Sequence, residues 1–338
     1  MKNNKKPHKI RNFFTKFPVI IALTIIIPAF AYSLFNFVTE ERYYYHYFYD
    51  GEFCEINAEK FQLTGIKKVA NVYQAASFFS YQGGACYDDY YAVVTDNFEA
   101  VIIYNVKKGM KVEHVITTDA TNTTWHCNQM FFGHDFYSVH DKFPILYISM
   151  EHPDVHALIG FRIYQLGGRY FIKKISTYTL TFDDGKGPIY YPNAYYDHES
   201  GLLYWVGYTK KSYMQEPDNF LRYYSFYIPD YRTEIDEWKT SEAEETFELP
   251  SETASQGGCV IGHKLYQTFS FNKKDDPQRA PKMKIIDLEN RKIIYDNQNL
   301  GTQLGVYEEF EHIAINSDGR MFTLGNPFNI YELEWTDK

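Results

Sequence analysis

The chain has 338 residues, a formal net charge of −9 and 45% hydrophobic residues, enough to bury a full core. An acidic balance with no basic patch in the globular part excludes a nucleic-acid binder. An aromatic content of 19%, with 32 Tyr and 27 Phe, favours half-buried pleated surfaces and hence an all-β chain.

In chain order, residues 1–16 carry Lys2, Lys5, Lys6, Lys9, Arg11 and Lys16 without an acid. "FPVIIALTIIIPAFAYSLFNFV" (17–38) then runs without a charge. At about 1.5 Å per residue it is long enough to cross a bilayer. The basic residues before it, with Glu40 and Glu41 after it, predict a single-pass anchor with a cytoplasmic N-terminus and an extracytoplasmic bulk. "AFA" (29–31) has the small-x-small form of a cleavage site, so secretion after cleavage near Ala31 is the alternative. Residues 39–53 form a Tyr-rich juxtamembrane linker, and 54–338 form the globular domain.

"SYQGGACYDDYYAVV" (80–94) and "SQGGCVIGHKLYQTF" (255–269) are near-copies of one unit: polar corner, Gly-Gly, turn, aromatic strand. Weaker copies begin at "WHCNQMFFG" (125–133), "YYPNAYYDHESGLLYWVGY" (190–208) and "FEHIAINSDGRMFTLG" (310–325). A third strand follows each unit, and a fourth follows four of them: "KVEHVITT", "FIKKISTYTL", "ETFELP" and "KIIYDNQNL". The fifth lacks one, and the unused "FQLTGIKKV" (61–69) is expected to complete it and close a ring. The prediction is a β-propeller of five four-stranded blades; insertions near 133–143, 209–222 and 234–246 leave six as the alternative. "EIDEWKTSEAEETFEL" (234–249) is the one stretch with helix-friendly composition.

In a propeller the first strand of each blade lines the central channel. The polar residues opening those strands are Gln82, Asn128, Asn193, Gln256 and Glu311, with His126 beside Asn128. Amides offer donors and acceptors suited to sugar hydroxyls, peptide groups or a cation, so these five are candidate ligand-binding residues. Trp125, Tyr191 and Tyr195 are candidate stacking platforms at the mouth. The glycines of the two Gln-Gly-Gly copies are expected to let strands crowd and a ligand approach the backbone. His126 and Glu311 are the candidate catalytic pair, His126 as base and Glu311 as its orienter. A two-carboxylate hydrolase is poorly supported, because four of the five corners are amides. "HPDVH" (152–156) reads as a loop, since Pro153 breaks the helix that would align its histidines. Four cysteines (Cys54, Cys86, Cys127, Cys259) stand in a disulfide-permissive setting, three of them in one repeat slot, and buried free thiols are the competing reading.

"EHIAINSDGRMFTLGNPFNIYELEW" resembles the closing blade of glutamine cyclotransferase and gluconolactonase-like propellers, and "QGGCVIGHKLY" with "IIDLENRKII" is similar to their blade grammar. The gluconolactonase resemblance implies a divalent cation held by Glu311, Asn128 and Asn193. The family's fourth ligand, an acid, has no counterpart, because Gln82 and Gln256 stand in the remaining slots.

The sequence therefore predicts an anchored propeller that binds a glycan or peptide at its channel mouth, without a cofactor or with a divalent cation. Alternatives are a metal-assisted hydrolase or cyclotransferase, and an assembly protein whose 209–250 insertion meets a protein partner.

Overall fold

Each repeat folds as an antiparallel sheet whose strands run in sequence from the axis outward. Blade 1 comprises Tyr81–Tyr87, Tyr90–Thr95, Ala100–Asn105 and Lys111–Thr117. Blade 3 comprises Tyr190–Asp197, Leu202–Tyr208, Phe220–Tyr227 and Glu245–Pro250. Blade 4 comprises Ser255–Ile261, Lys264–Phe269, Lys282–Asp287 and Lys292–Asn297. Blade 2 comprises His126–Phe132, Leu146–His152, Val155–Leu166 and Arg169–Thr181, with a fifth strand, Ile235–Lys239, parallel to its outer edge. Blade 5 takes Glu309–Ile315, Met321–Asn326 and Asn329–Thr336, and its outer strand is Gln62–Asn71 from near the start of the domain. The protein is thus an all-β, five-bladed propeller closed by its N-terminal strand, as the repeat pattern predicts.

The computed structural model describes residues 26–31, 47–48, 53–74, 80–118, 126–152, 155–211, 219–232, 235–251, 254–270, 280–326 and 329–338. Residues up to Tyr47 and residues from Phe48 onward form two units. In the first, residues 26–31 are helical, with Ile26, Ile27 and Phe30 exposed. No helix among the described residues is long and apolar enough to cross a membrane. The rest of the predicted 17–38 anchor and the basic 1–16 segment lie outside the described residues.

Period-two alternation joins the blades. In the third strand of blade 1 every residue is buried. Val101 and Ile103 face blade 2, where they meet Ile148 and Ala157. Ala100, Ile102 and Tyr104 face blade 5, where they meet Phe322 and Leu324. Burying an aliphatic side chain of this kind contributes about 1.5–3 kcal/mol. Such strands read as continuous apolar runs, whereas the outer strand Lys111–Thr117 has only Ile116 buried. The other interfaces follow the same rule: Tyr204 and Tyr223 with Leu265 and Ile286 between blades 3 and 4, and Tyr266 and Met283 with Phe310 and Leu333 between blades 4 and 5. Blades 2 and 3 meet through rings, Phe131 stacking on Tyr196 at 5.5 Å and Trp238 lying edge-on to Trp205 at 6.4 Å.

Trp238 also corrects one expectation. The helix-friendly stretch 234–249 contains two strands, Ile235–Lys239 and Glu245–Pro250, bridged by the short 3-10 turn Thr240–Glu242. Helix would carry the indole away from Tyr178, Phe226 and Trp205; extended backbone seats it among them. Similarly, "KIIYDNQNL" leaves the sheet after Asn297, and Leu300–Leu304 forms a short helix ending at Gly305, whose φ is 68°. "HPDVH" is a hairpin end, with His152 paired to Val155. All four cysteines are free thiols. They do not share one slot: by strand register Ala85, not Cys86, is the counterpart of Cys259, and Cys127 precedes the irregularity that both follow.

The axis is filled by two side chains. Gln129 of blade 2 reaches blade 4, donating from Nε2 to Gly258 O at 2.5 Å and accepting at Oε1 from Gly258 N at 3.2 Å. His312 of blade 5 is fully buried and donates from Nδ1 to Gln82 O at 2.7 Å; its Nε2 accepts from Tyr91 Oη at 2.6 Å. The glycine pairs make room for them. A Cβ on Gly84 would clash with the His312 imidazole at Nε2, and one on Gly257 would meet Gln129 Oε1 and lie 2.7 Å from His312 Cβ. The duplicated Gly-Gly therefore admits protein side chains to the axis, where a ligand was expected.

Two outcomes follow from this packing. Gly84→Ala and Gly257→Ala should each destabilise the fold by about 1–3 kcal/mol through overpacking, read as a lower denaturant midpoint at constant slope; an unchanged midpoint would refute the axial fit. Burial lowers the pKa of His312 from 6.5 to about 4. Between these values the unfolded chain binds a proton that the native chain does not, so stability falls as pH drops from 6.5 toward 4. His198, half-buried and also lowered to about 4 by desolvation, acts in the same direction. His312→Gln should flatten, without abolishing, the pH dependence of the unfolding midpoint in that window; an unaltered slope would show that His312 titrates normally.

Candidate functional site

All five inner strands break register at the same rung. The shifts fall between Tyr81 and Gly84, Cys127 and Gln129, Tyr190 and Asn193, Ser255 and Gly258, and Phe310 and Ile313. In each, one more residue lies on the inner strand than on its partner, which is a β-bulge. A bulge bends its strand and re-aims side chains, here toward the axis. The residues carried on this rung surround one cavity of about 880 Å³, within the range of about 300–1,000 Å³ usual for ligand pockets.

Seven of the residues singled out from sequence line that cavity: Gln82, Asn128, Asn193, Gln256, Glu311, His126 and Tyr191. The five corners are not strictly equivalent, however. Counted back from the first paired residue after each bulge, Gln82, Gln256 and Glu311 stand two places earlier and Asn128 one, while Asn193 is that residue itself. The true counterpart of Gln82 in blade 3 is Tyr191, held at a φ of 53° and exposed at the cavity wall. A bulky residue in the left-handed region carries backbone strain.

Two ring candidates fare differently. Tyr195 is 1% exposed; its hydroxyl donates to Gln256 O at 2.9 Å and accepts from Gln267 Nε2 at 2.9 Å, so it ties blade 3 to blade 4 below the mouth. Burial pushes its pKa well up. Trp125 lies outside the described residues.

The polar wall is cross-linked. Asn193 Nδ2 donates to Gln256 O at 3.1 Å, and Gln256 Nε2 donates to Ser270 O at 3.1 Å and to Glu309 Oε1 at 2.7 Å. Asn128 Nδ2 donates to Pro192 O at 3.4 Å. Glu311 is 1% exposed. His126 pairs through Nδ1 with Asp96, so this imidazole has a carboxylate orienter outside the cavity and Glu311 inside it. His156 joins the wall from blade 2, and burial holds its pKa below the ordinary value. Among the described residues no group of three His, Cys, Asp or Glu side chains could hold a metal ion. The ligand set implied by the gluconolactonase resemblance supplies one carboxylate and two amides, and both amide nitrogens already face backbone carbonyls.

Gln129 and His312, which fill the axis, escaped the sequence reading. Their signal was present in the glycine pairs: two adjacent glycines in an inner strand announce large side chains opposite.

No protein-family model matches the chain, and no curated protein matches it. Among solved structures, a glucose dehydrogenase is similar at 10% identity and a TM-score of 0.46, covering 80% of this chain and 99% of its own. The PQQ-bound aldose sugar dehydrogenase of Streptomyces coelicolor is similar at 11% identity and a TM-score of 0.45, covering 80% and 98%. The glutaminyl cyclase of Myxococcus xanthus is similar at 10% identity and a TM-score of 0.46, covering 80% and 96%. The propeller assignment for this chain rests on its own sheet order and ring closure.

Proposed function

We propose that this protein is a membrane-anchored, extracytoplasmic propeller that binds a polar ligand, a glycan or peptide, in the cavity at its channel mouth. The observation that carries the reading is the shared bulge: five inner strands spend the same irregularity to turn Gln82, Asn128, Tyr191, Gln256 and Glu311 toward one space of about 880 Å³. A fold needing only a sealed axis would fill that end with apolar side chains, as it does between blades. Tyr190 and Tyr191 on the wall suit the apolar face of a sugar ring, and the amides suit its hydroxyls. The exposed Ile26, Ile27 and Phe30 in the charge-free 17–38 segment support the anchored placement.

His126, paired with Asp96 and sharing a cavity with Glu311, favours a second, catalytic reading, in which His126 is a base, Asp96 orients it and Glu311 is the acid of a hydrolytic or cyclising reaction. A divalent cation bound by Glu311 with the amide oxygens belongs to this reading.

Gln82 is the cleanest probe, because its side chain lines the cavity while its backbone carbonyl makes the structural bond to His312. Gln82→Ala in the full chain should weaken binding about 3- to 10-fold, the equivalent of one hydrogen bond, at an unchanged unfolding midpoint. The measurement is a thermal-shift titration with oligosaccharides and short peptides, since a ligand at a hundredfold excess over Kd adds about 2.7 kcal/mol of stability. Equal affinity in the variant, or no shift with either class, would sink the reading. Turnover surviving Glu311→Gln would remove the catalytic one.

A further inference from the structure

We infer that the cavity receives its ligand by a primary ammonium group, an inference that rests on the binding reading above and specifies its chemistry. An amide side chain has a donor end and an acceptor end, and its protein partners decide which end is left for a ligand. Asn193 is 3% exposed and spends Nδ2 on Gln256 O, while Oδ1 is buried and makes no hydrogen bond. Asn193 lines the cavity, and an amide oxygen can only accept. Gln256 spends Nε2 on Ser270 O and Glu309 Oε1, so its amide also has only an oxygen to offer. Asn128 Nδ2 likewise points at Pro192 O. Three amides that were ambiguous in sequence are thus oriented alike, with their donors turned into the protein.

The carboxylates of Glu311 and Glu309 stand on the same wall. Blades 3, 4 and 5 therefore present a concave surface of oxygen acceptors and negative charge. The lysine of that wall, Lys211, is exposed. A neutral polyol meets an acceptor wall with one donor per hydroxyl. An ammonium group brings three donors on one atom together with the charge that a buried carboxylate selects. Tyr190 and Tyr191 add ring faces to the same wall, which attract a cation. The shared chemistry admits an amino sugar or an aliphatic amine.

The test is calorimetric titration of the unmodified full chain with glucosamine, N-acetylglucosamine, glucose and 1,4-diaminobutane, followed by calcium chloride alone. The expected result is that glucosamine binds at least tenfold tighter than its N-acetylated form and than glucose. Diaminobutane binding as well as glucosamine assigns recognition to the amine alone; glucosamine binding alone assigns it to an amino sugar. Glu311→Gln should reduce the preference for the amine over its acetylated form while leaving glucose unchanged. Because the compound series uses the native chain, it decides the matter even where that variant does not fold. Glucose or N-acetylglucosamine binding as tightly as glucosamine overturns the inference and leaves the binding reading in place. Calcium binding with no response to either amine also overturns it, since the oxygens would then be metal ligands. No response from these compounds, together with none from the oligosaccharides and peptides above, overturns the binding reading itself.

Discussion

The bridge from Gln129 to Gly258 is the constraint on which the remaining geometry depends. Blades 2 and 4 are not neighbours in the ring, so a side chain of one that bonds the backbone of the other must cross the axis. Five inner strands leave space there for very few side chains. Two of them therefore surrender their side chains at Gly83–Gly84 and Gly257–Gly258, and the volume goes to Gln129 and His312. A buried amide and a buried imidazole are costly unless satisfied. Gln129 is held at both ends, and the imidazole is satisfied at both nitrogens by Gln82 O and the Tyr91 hydroxyl. The polar plug thereby ties blade 2 to blade 4 across the axis and blade 5 to blade 1, and the first of these links is one that contacts between neighbouring sheets do not make.

The plug also divides the channel into two unequal ends. Beyond it lie small spaces of about 30 and 60 Å³ edged by Cys86, Phe132 and His198. Before it lies the large polar cavity, with the bulged rung as its wall. The bulges lie next to the plug residues in blades 2 and 5 and next to the glycines that admit them in blades 1 and 4, and the two features belong together. A regular strand would place alternate residues against neighbouring blades, as Ala100–Asn105 does farther out. The extra residue interrupts that alternation near the axis, which lets polar groups face the cavity without stripping the interfaces beneath of apolar ones.

How much of this was legible in sequence follows from which interactions are local. Strand order, turn positions and closure by residues 61–69 were readable, because each blade repeats one pattern and the buried middle strands are continuous apolar runs. The polar corners were readable as residue types at repeated positions. Their exact rung was not: Asn193 and Tyr191 exchange roles because Pro192 shares the bulge, and a bulge is set by pairing with the next strand. Tyr195 looked like a mouth aromatic beside Tyr191, which simple alternation would place on the same face, yet the bulge between Tyr190 and Asn193 breaks that alternation and Tyr195 meets blade 4, where Gln256 and Gln267 hold its hydroxyl. The stretch 234–249 misled for the converse reason. Its Glu-rich composition favours helix by intrinsic propensity, and one buried indole outweighs those preferences, each a fraction of a kcal/mol.

The ring's one departure from neutral corners also has a structural logic. Glu311 stands on the inner strand of blade 5, the blade completed by Gln62–Asn71. His312, the next residue, seals the axis against blade 1, and Glu309, two before, fixes the Gln256 amide of blade 4. A single short strand thus carries the buried charge, the axial plug and the link that orients a neighbour's acceptor. The strand that carries the blade 5 part of the cavity wall thus belongs to the sheet that the N-terminal strand closes. The acceptor surface takes Glu309 and Glu311 from this sheet. A ligand that recognises it binds only the closed ring and, by mass action, holds the N-terminal strand in place.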